Sequence, residues 1–65
     1  MIKLTASYLS NTKTIWKAEA ETDRDVLARL ISMRRWALDM KRDIAVTVVY
    51  TDGRVTSHRY YGKVG

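Results

Sequence analysis

Two stretches of period-two alternation, one capped helical stretch and one Asp-Gly hairpin cue make these 65 residues a small α+β domain, ordered ββαββ. An antiparallel sheet with the single helix packed on one face buries the apolar side of every element at once. In "IKLTASYL" Ile2, Leu4, Ala6 and Tyr8 alternate with mostly polar neighbours, the signature of a strand with one buried face. "SNTK" (Ser10 to Lys13) supplies turn formers, and "TIWKAEAE" alternates again with Trp16, Ala18 and Ala20 opposed to Lys17, Glu19 and Glu21. "TDRD" (Thr22 to Asp25) starts a helix: the Thr22 hydroxyl accepts from a free backbone N–H of the first turn, and Asp23 and Asp25 suit the positive end of the dipole. The helix runs to Met40 or Lys41, with Lys41 and Arg42 at its negative end. "IAVTVVY" is a β-branched strand with Ile44, Val46, Val48 and Tyr50 on one face. "TDGR" turns the chain, because glycine accepts positive φ at no steric cost. "RVTSHRYY" is the last strand, and "GKVG" is a loose end.

One domain spanning residues 1–65 follows from the length and from the absence of proline, repeats and linkers. A chain this short has little room for an enclosed active-site cleft. Hydrophobic residues at 46% and charged residues at 29% are the composition of a globular domain rather than a disordered tail. The lack of cysteine excludes disulfides and thiolate-metal sites and fits a cytoplasmic setting. No stretch resembles a signal peptide or approaches the about 18 apolar residues of a membrane span. The formal charge of +5 is uneven: residues 1–18 carry +3, residues 19–52 carry −1 and residues 53–65 carry +3. Such a field favours polyanions or acidic protein surfaces.

At 100° per residue Val26, Leu27, Leu30, Ile31, Ala37 and Leu38 form the core face of the helix, and Met33, Trp36 and Met40 fall on an adjoining strip. Either a twisted sheet wraps that strip, with Trp36 over a strand edge, or Trp36 with Arg35 nearby is an exposed anchor, since Trp and Arg dominate interface hot spots. Arg34 falls between Leu30 and Leu38; either its stem snorkels into water or the helix bends near Ser32. Arg35, with Arg24 and Arg42 on one angular line, builds a basic ridge diluted by Asp25 and Asp39.

The facing of the last strand depends on its turn. A two-residue Asp52-Gly53 turn pairs Tyr50 with Val55 and leaves Thr56, His58 and Tyr60 outward, whereas a three-residue turn with a bulge reverses the assignment. In either register a basic or imidazole side chain and a tyrosine share the outward surface with Lys17 or Lys3, a surface suited to phosphates or bases. Catalytic and metal chemistry have no foothold. Ser57 and His58 are adjacent on a strand and point to opposite faces, the acids at the helix start repel an anion, and metal-ligand spacing is absent. No cofactor is implied, and a non-enzymatic binder is the expected class.

"WKAEAETDRDVLARLI" (Trp16 to Ile31), an alternating strand ending in Glu-Ala-Glu, a Thr cap and an Ala/Leu helix, resembles the junction found in small phage proteins. With "IAVTVVYTDGRVTSHRYY" the likeness covers residues 14 to 61 and is to small phage-encoded antagonists of host machinery, namely sheet-plus-one-helix anti-CRISPR proteins and inhibitors of bacterial RNA polymerase. It is one of size, layout and junction, and transfers no residue by position. It implies a protein that occupies a surface of a host protein or nucleoprotein complex, most plainly an RNA-guided CRISPR effector, in the host cytoplasm. Arg35, Trp36 and Met40 with Arg54, Arg59 and Tyr60 are the expected partner-binding residues. The alternative is a small basic DNA- or RNA-binding module, and a third reading is a homodimer through the Met33, Trp36 and Met40 strip.

Overall fold

The computed structural model describes residues 1–62. Strand β1 (Ile2–Tyr8) turns back into β2 (Thr14–Ala20), helix α1 (Asp23–Met40) follows, and β3 (Ile44–Val49) and β4 (Val55–Tyr60) close the fold. The ββαββ order is the expected one. The strands form one antiparallel sheet in the order β2-β1-β3-β4, so β1 and β3 are central and β2 and β4 are edges. β2 and β3 both oppose β1 and therefore run parallel to each other, with α1 as the crossover that joins them.

Alternation decides what each central strand buries. Ile2, Leu4 and Ala6 of β1 and Ile44, Val46 and Val48 of β3 lie beneath the helix, with Ala20 of β2 completing the floor. Leu4, Ile44, Val46 and Val48 are fully buried, each contributing about 1.5–3 kcal/mol relative to an exposed position. From above, α1 lowers Val26, Leu30, Met33 and Ala37, a stripe at i, i+4, i+7 and i+11.

That stripe corrects the helix face read from sequence. Met33, expected beside the core, is buried in it, whereas Leu27 and Ile31, expected in the core, are each 58% exposed. An apolar arc wider than one packing contact does not say which of its edges the sheet will take, and the sheet takes the Met33 edge. Arg34 lies on the Leu27 and Ile31 side and is exposed, and the helix runs unbroken from Asp23 to Met40.

The helix ends are closed as their chemistry requires. Thr22, in extended conformation, accepts a hydrogen bond from the Asp25 N–H at 3.2 Å. At the other end Lys41 adopts left-handed geometry (φ 55°), so that its N–H reaches the Leu38 carbonyl and the Arg42 N–H reaches the Ala37 carbonyl. Arg42 accordingly leaves the helical ridge expected for it, and its guanidinium stacks over the Tyr8 ring at 5.4 Å from the centroid. The segment from residue 62 was expected to be loose, yet Gly62 is buried and donates its N–H to Asp43 Oδ1 at 2.9 Å. The remainder of that segment lies outside the described residues.

The final hairpin takes the longer of its two turns. Tyr50 N–H donates to the Arg54 carbonyl and Gly53 N–H to the Tyr50 carbonyl, leaving Thr51, Asp52 and Gly53 as a three-residue loop with Gly53 at φ 92°. Val49 then faces Val55, Thr47 faces Ser57 and Ala45 faces Arg59. Thr56, His58 and Tyr60 therefore share the helix side, and Val55, Ser57 and Arg59 share the opposite one.

Candidate functional site on the uncovered sheet face

One helix covers one side of the sheet, and the other side is open. The register sorts that open side into three rows across β2, β1, β3 and β4. The first row is Glu19, Lys3, Val49 and Val55; the second is Lys17, Thr5, Thr47 and Ser57; the third is Thr14, Ser7, Ala45 and Arg59. The middle is a flat floor of hydroxyls and one methyl, and the cations stand around it. Lys3, Lys17 and Arg59 are all exposed. A shallow depression lined by Lys3, Thr5, Lys17 and Glu19 runs between the two lysines.

Electrostatically this face carries three cations and one carboxylate, Glu19, the cross-strand neighbour of Lys3. Among the described residues the only ion pair joins Arg54 to Asp52, so Lys3, Lys17 and Arg59 have no carboxylate at contact distance. Short hydroxyls beside free cations can contact phosphate oxygens or surface carboxylates without displacing bulky side chains. Stacking is another matter, because none of the aromatic residues in the strands falls on this face. Tyr60 and His58, expected as outward partners of the lysines under one of the two registers, point to the helix side instead.

The residues anticipated for partner contact occupy separate places. Arg35 is exposed on the outer side of α1, beside Ile31, Leu38 and Asp39. Trp36 is half-buried and packs on the core; with Ile15, Trp16, Ser32 and Met33 it lines a groove over edge strand β2. Met40 is exposed at the helix end, one turn beyond Trp36 on the same flank. Arg54 serves its own hairpin: its Nε lies 2.8 Å from Asp52 Oδ2, its N–H donates to Asp52 Oδ1, and its guanidinium sits 4.6 Å from the Tyr50 centroid. These contacts hold the Asp52 carboxyl below the usual aspartate range, the Arg54 backbone N–H being the largest cause. Tyr60 is half-buried; burial pushes its phenol above the ordinary value, and nearby Arg34 opposes that. Of the six, Arg59 alone joins the open face.

The sheet face as a unit was not legible from sequence. Alternation puts Lys3 or Lys17 outward, but the Thr5, Thr47 and Ser57 row appears only once β1 and β3 are known to be neighbours. The signal available was the alternation of Thr and Ser opposite the core residues.

His58 Nε2 is 3.1 Å from Thr56 Oγ1, its one side-chain hydrogen bond among the described residues, and Ser57 points to the other face. No group of three or more His, Asp or Glu among the described residues is placed to hold a metal ion. No helix among them is long and apolar enough to cross a membrane. Comparison with protein-family models, with curated proteins and with solved structures gives no match to this chain.

Proposed function

We propose that this chain is a non-enzymatic inhibitor of the phage type, which docks on a host nucleoprotein complex through its open sheet face and blocks it sterically. The observation that carries the reading is the uncovered face on which Lys3, Lys17 and Arg59 stand without an ion pair to any carboxylate among the described residues. A fold of this size gains nothing in stability from unpaired surface cations, and a large partner with phosphate or carboxylate groups uses all three. The resemblance of the strand-to-helix junction favours an RNA-guided CRISPR effector as the complex, met in the host cytoplasm. Its test is capture from bacterial lysate with and without nuclease, together with a target-cleavage assay on the captured effector. Arg59→Glu is expected to lower capture and inhibition at least tenfold while the fold is retained. Unchanged capture and inhibition by Arg59→Glu and Lys17→Glu would remove the open face from the proposal.

A second reading, a stand-alone DNA- or RNA-binding module, is favoured by the hydroxyl floor. With cations and hydroxyls but no strand aromatic on this face, such a module contacts the backbone and ignores sequence. Three phosphate contacts give a log–log salt slope of about −2 to −3. Absence of binding to naked nucleic acid at low salt eliminates it.

A further inference from the structure

We infer that β4 is a self-pairing edge: two copies of this chain join β4 to β4 about a two-fold axis at Ser57, which makes one continuous sheet. The inference does not depend on what the open face binds.

The backbone phase comes first. The Tyr50–Arg54 hydrogen bond fixes the β3–β4 ladder, and bonded and non-bonded pairs alternate along an antiparallel ladder. Arg54, Thr56, His58 and Tyr60 therefore turn their backbone groups toward β3. Val55, Ser57 and Arg59 turn theirs to the free edge. The same argument from the Leu9 N–H bond to the Asp43 carbonyl assigns Lys17 and Glu19 to the free edge of β2.

The two edges are defended differently. β2 presents two charged residues, and its register slips where Ser7 pairs with Thr14 while Ala6 pairs with Trp16. Charges and bulges are the usual protection of an edge. β4 keeps an unbroken register with β3 from Val55 to Tyr60, and its edge offers a valine, a serine and a single arginine. Val55 is 61% exposed.

Self-complementarity picks the occupant and the register. With Ser57 opposite the partner's Ser57, Val55 lies opposite the partner's Arg59 and Arg59 opposite the partner's Val55. Three bonded pairs then give about six hydrogen bonds. The two Arg59 residues are offset by four positions, about 14 Å, which exceeds the screening length of about 8–10 Å. Centring the axis on Arg59 opposes like charges directly. Centring it on Val55 runs the pairing into the turn at Gly53, where the ladder stops. Centring it on the non-bonded positions Thr56 or His58 leaves only two bonded pairs inside the strand, so the Ser57 register makes the most hydrogen bonds with neither fault.

A second surface supports the same edge. Ser32 and Trp36 line the β2 side of the helix, so the flank across the buried stripe, with Leu27, Ile31 and Arg34, lies on the β4 side. Leu27 and Ile31 are its exposed apolar members. Pairing thus extends the hydroxyl floor and its cations across two copies on one side, and brings the two exposed flanks toward each other on the other side.

Sedimentation velocity on the full chain from micromolar to millimolar concentration tests this, with Val55→Glu, Val55→Lys and Ser57→Pro as variants. The wild type is expected to show a concentration-dependent dimer. Val55→Glu, opposite the partner's Arg59 twice per dimer, tightens it about three- to tenfold, and Val55→Lys weakens it by a similar factor. Ser57→Pro removes an N–H that β3 does not use, so a chain that stays folded by circular dichroism is expected to lose the dimer. Should that variant unfold, the opposite signs of the Val55 pair decide. A monomer at every concentration, a dimer that both Val55 variants shift in the same direction, or a dimer that survives folded Ser57→Pro overturns the inference.

Discussion

Gly62 donates its backbone N–H to Asp43 Oδ1 at 2.9 Å, a bond that ties the exit of β4 to the residue just before β3. Gly62 also lies so close to the helix end that an added Cβ would fall against the Arg42 nitrogen and the Lys41 backbone, inside contact distance. Backbone atoms of a capped helix end cannot move aside as a flexible side chain does. Gly62→Ala is therefore expected to cost about 1–3 kcal/mol in urea unfolding. Asp43→Ala, which removes only the hydrogen bond, costs about 1 kcal/mol.

Lys41 occupies a left-handed position for which glycine is the common choice. Its side chain bears the steric penalty without contributing a hydrogen bond among those of the described residues. Lys41→Gly is expected to raise stability by about 0.5–1 kcal/mol. The midpoint of denaturant unfolding checks it, with an unchanged slope as the sign that the fold is the same.

Rotation of the helix sets a contrast between neighbours in sequence. Met33→Ala opens a cavity among buried residues and is expected to cost about 2–4 kcal/mol. Leu27→Ala and Ile31→Ala, at exposed positions, are expected to cost under about 1 kcal/mol. The reverse order of losses would restore the face read from periodicity alone.

Asp52 gives the last hairpin a defined response to acid. Its folded carboxyl is lowered by the Arg54 N–H and guanidinium, so the unfolded chain binds this proton first as pH falls through the ordinary aspartate range of about 3.9. The contribution is present above that range and is lost as pH drops through the lower, folded value. Asp52→Asn keeps the acceptor for the Arg54 N–H and removes the charge. Thermal melts between pH 2 and 6 are expected to show a smaller acid-induced loss in the variant than in the wild type. Equal losses in both would detach Asp52 from the stability of the hairpin.

Local chemistry was readable where a single residue type settles the geometry. The Thr22 cap, the alternation of Ile2, Leu4 and Ala6, and the Asp52-Gly53 turn each fixed an element before any tertiary contact was known. Three things depend on contacts distant in sequence. The strand order needs β1 to pair with β3, the choice of Met33 over Leu27 needs the placement of the helix on that sheet, and the facing of His58 and Tyr60 turns on one residue of loop length. A single-residue slip moves every side chain of a strand to the other face. The candidate site inherited that ambiguity: Lys3, Lys17 and Arg59 were each visible, but their meeting on one face around Thr5, Thr47 and Ser57 was not.

The open face is the centre of the account, and a charge reversal across it is the most direct measurement. Wild-type chain and the Lys3→Glu, Lys17→Glu, Arg59→Glu triple variant, both folded by circular dichroism, are immobilised and exposed to nuclease-treated and untreated bacterial lysate. The captured proteins are then identified by mass spectrometry. The account predicts that the wild type retains a defined nucleoprotein complex, with its protein subunits still held after nuclease treatment, and that the triple variant releases it. Capture of the same proteins in equal amounts by both chains would contradict it.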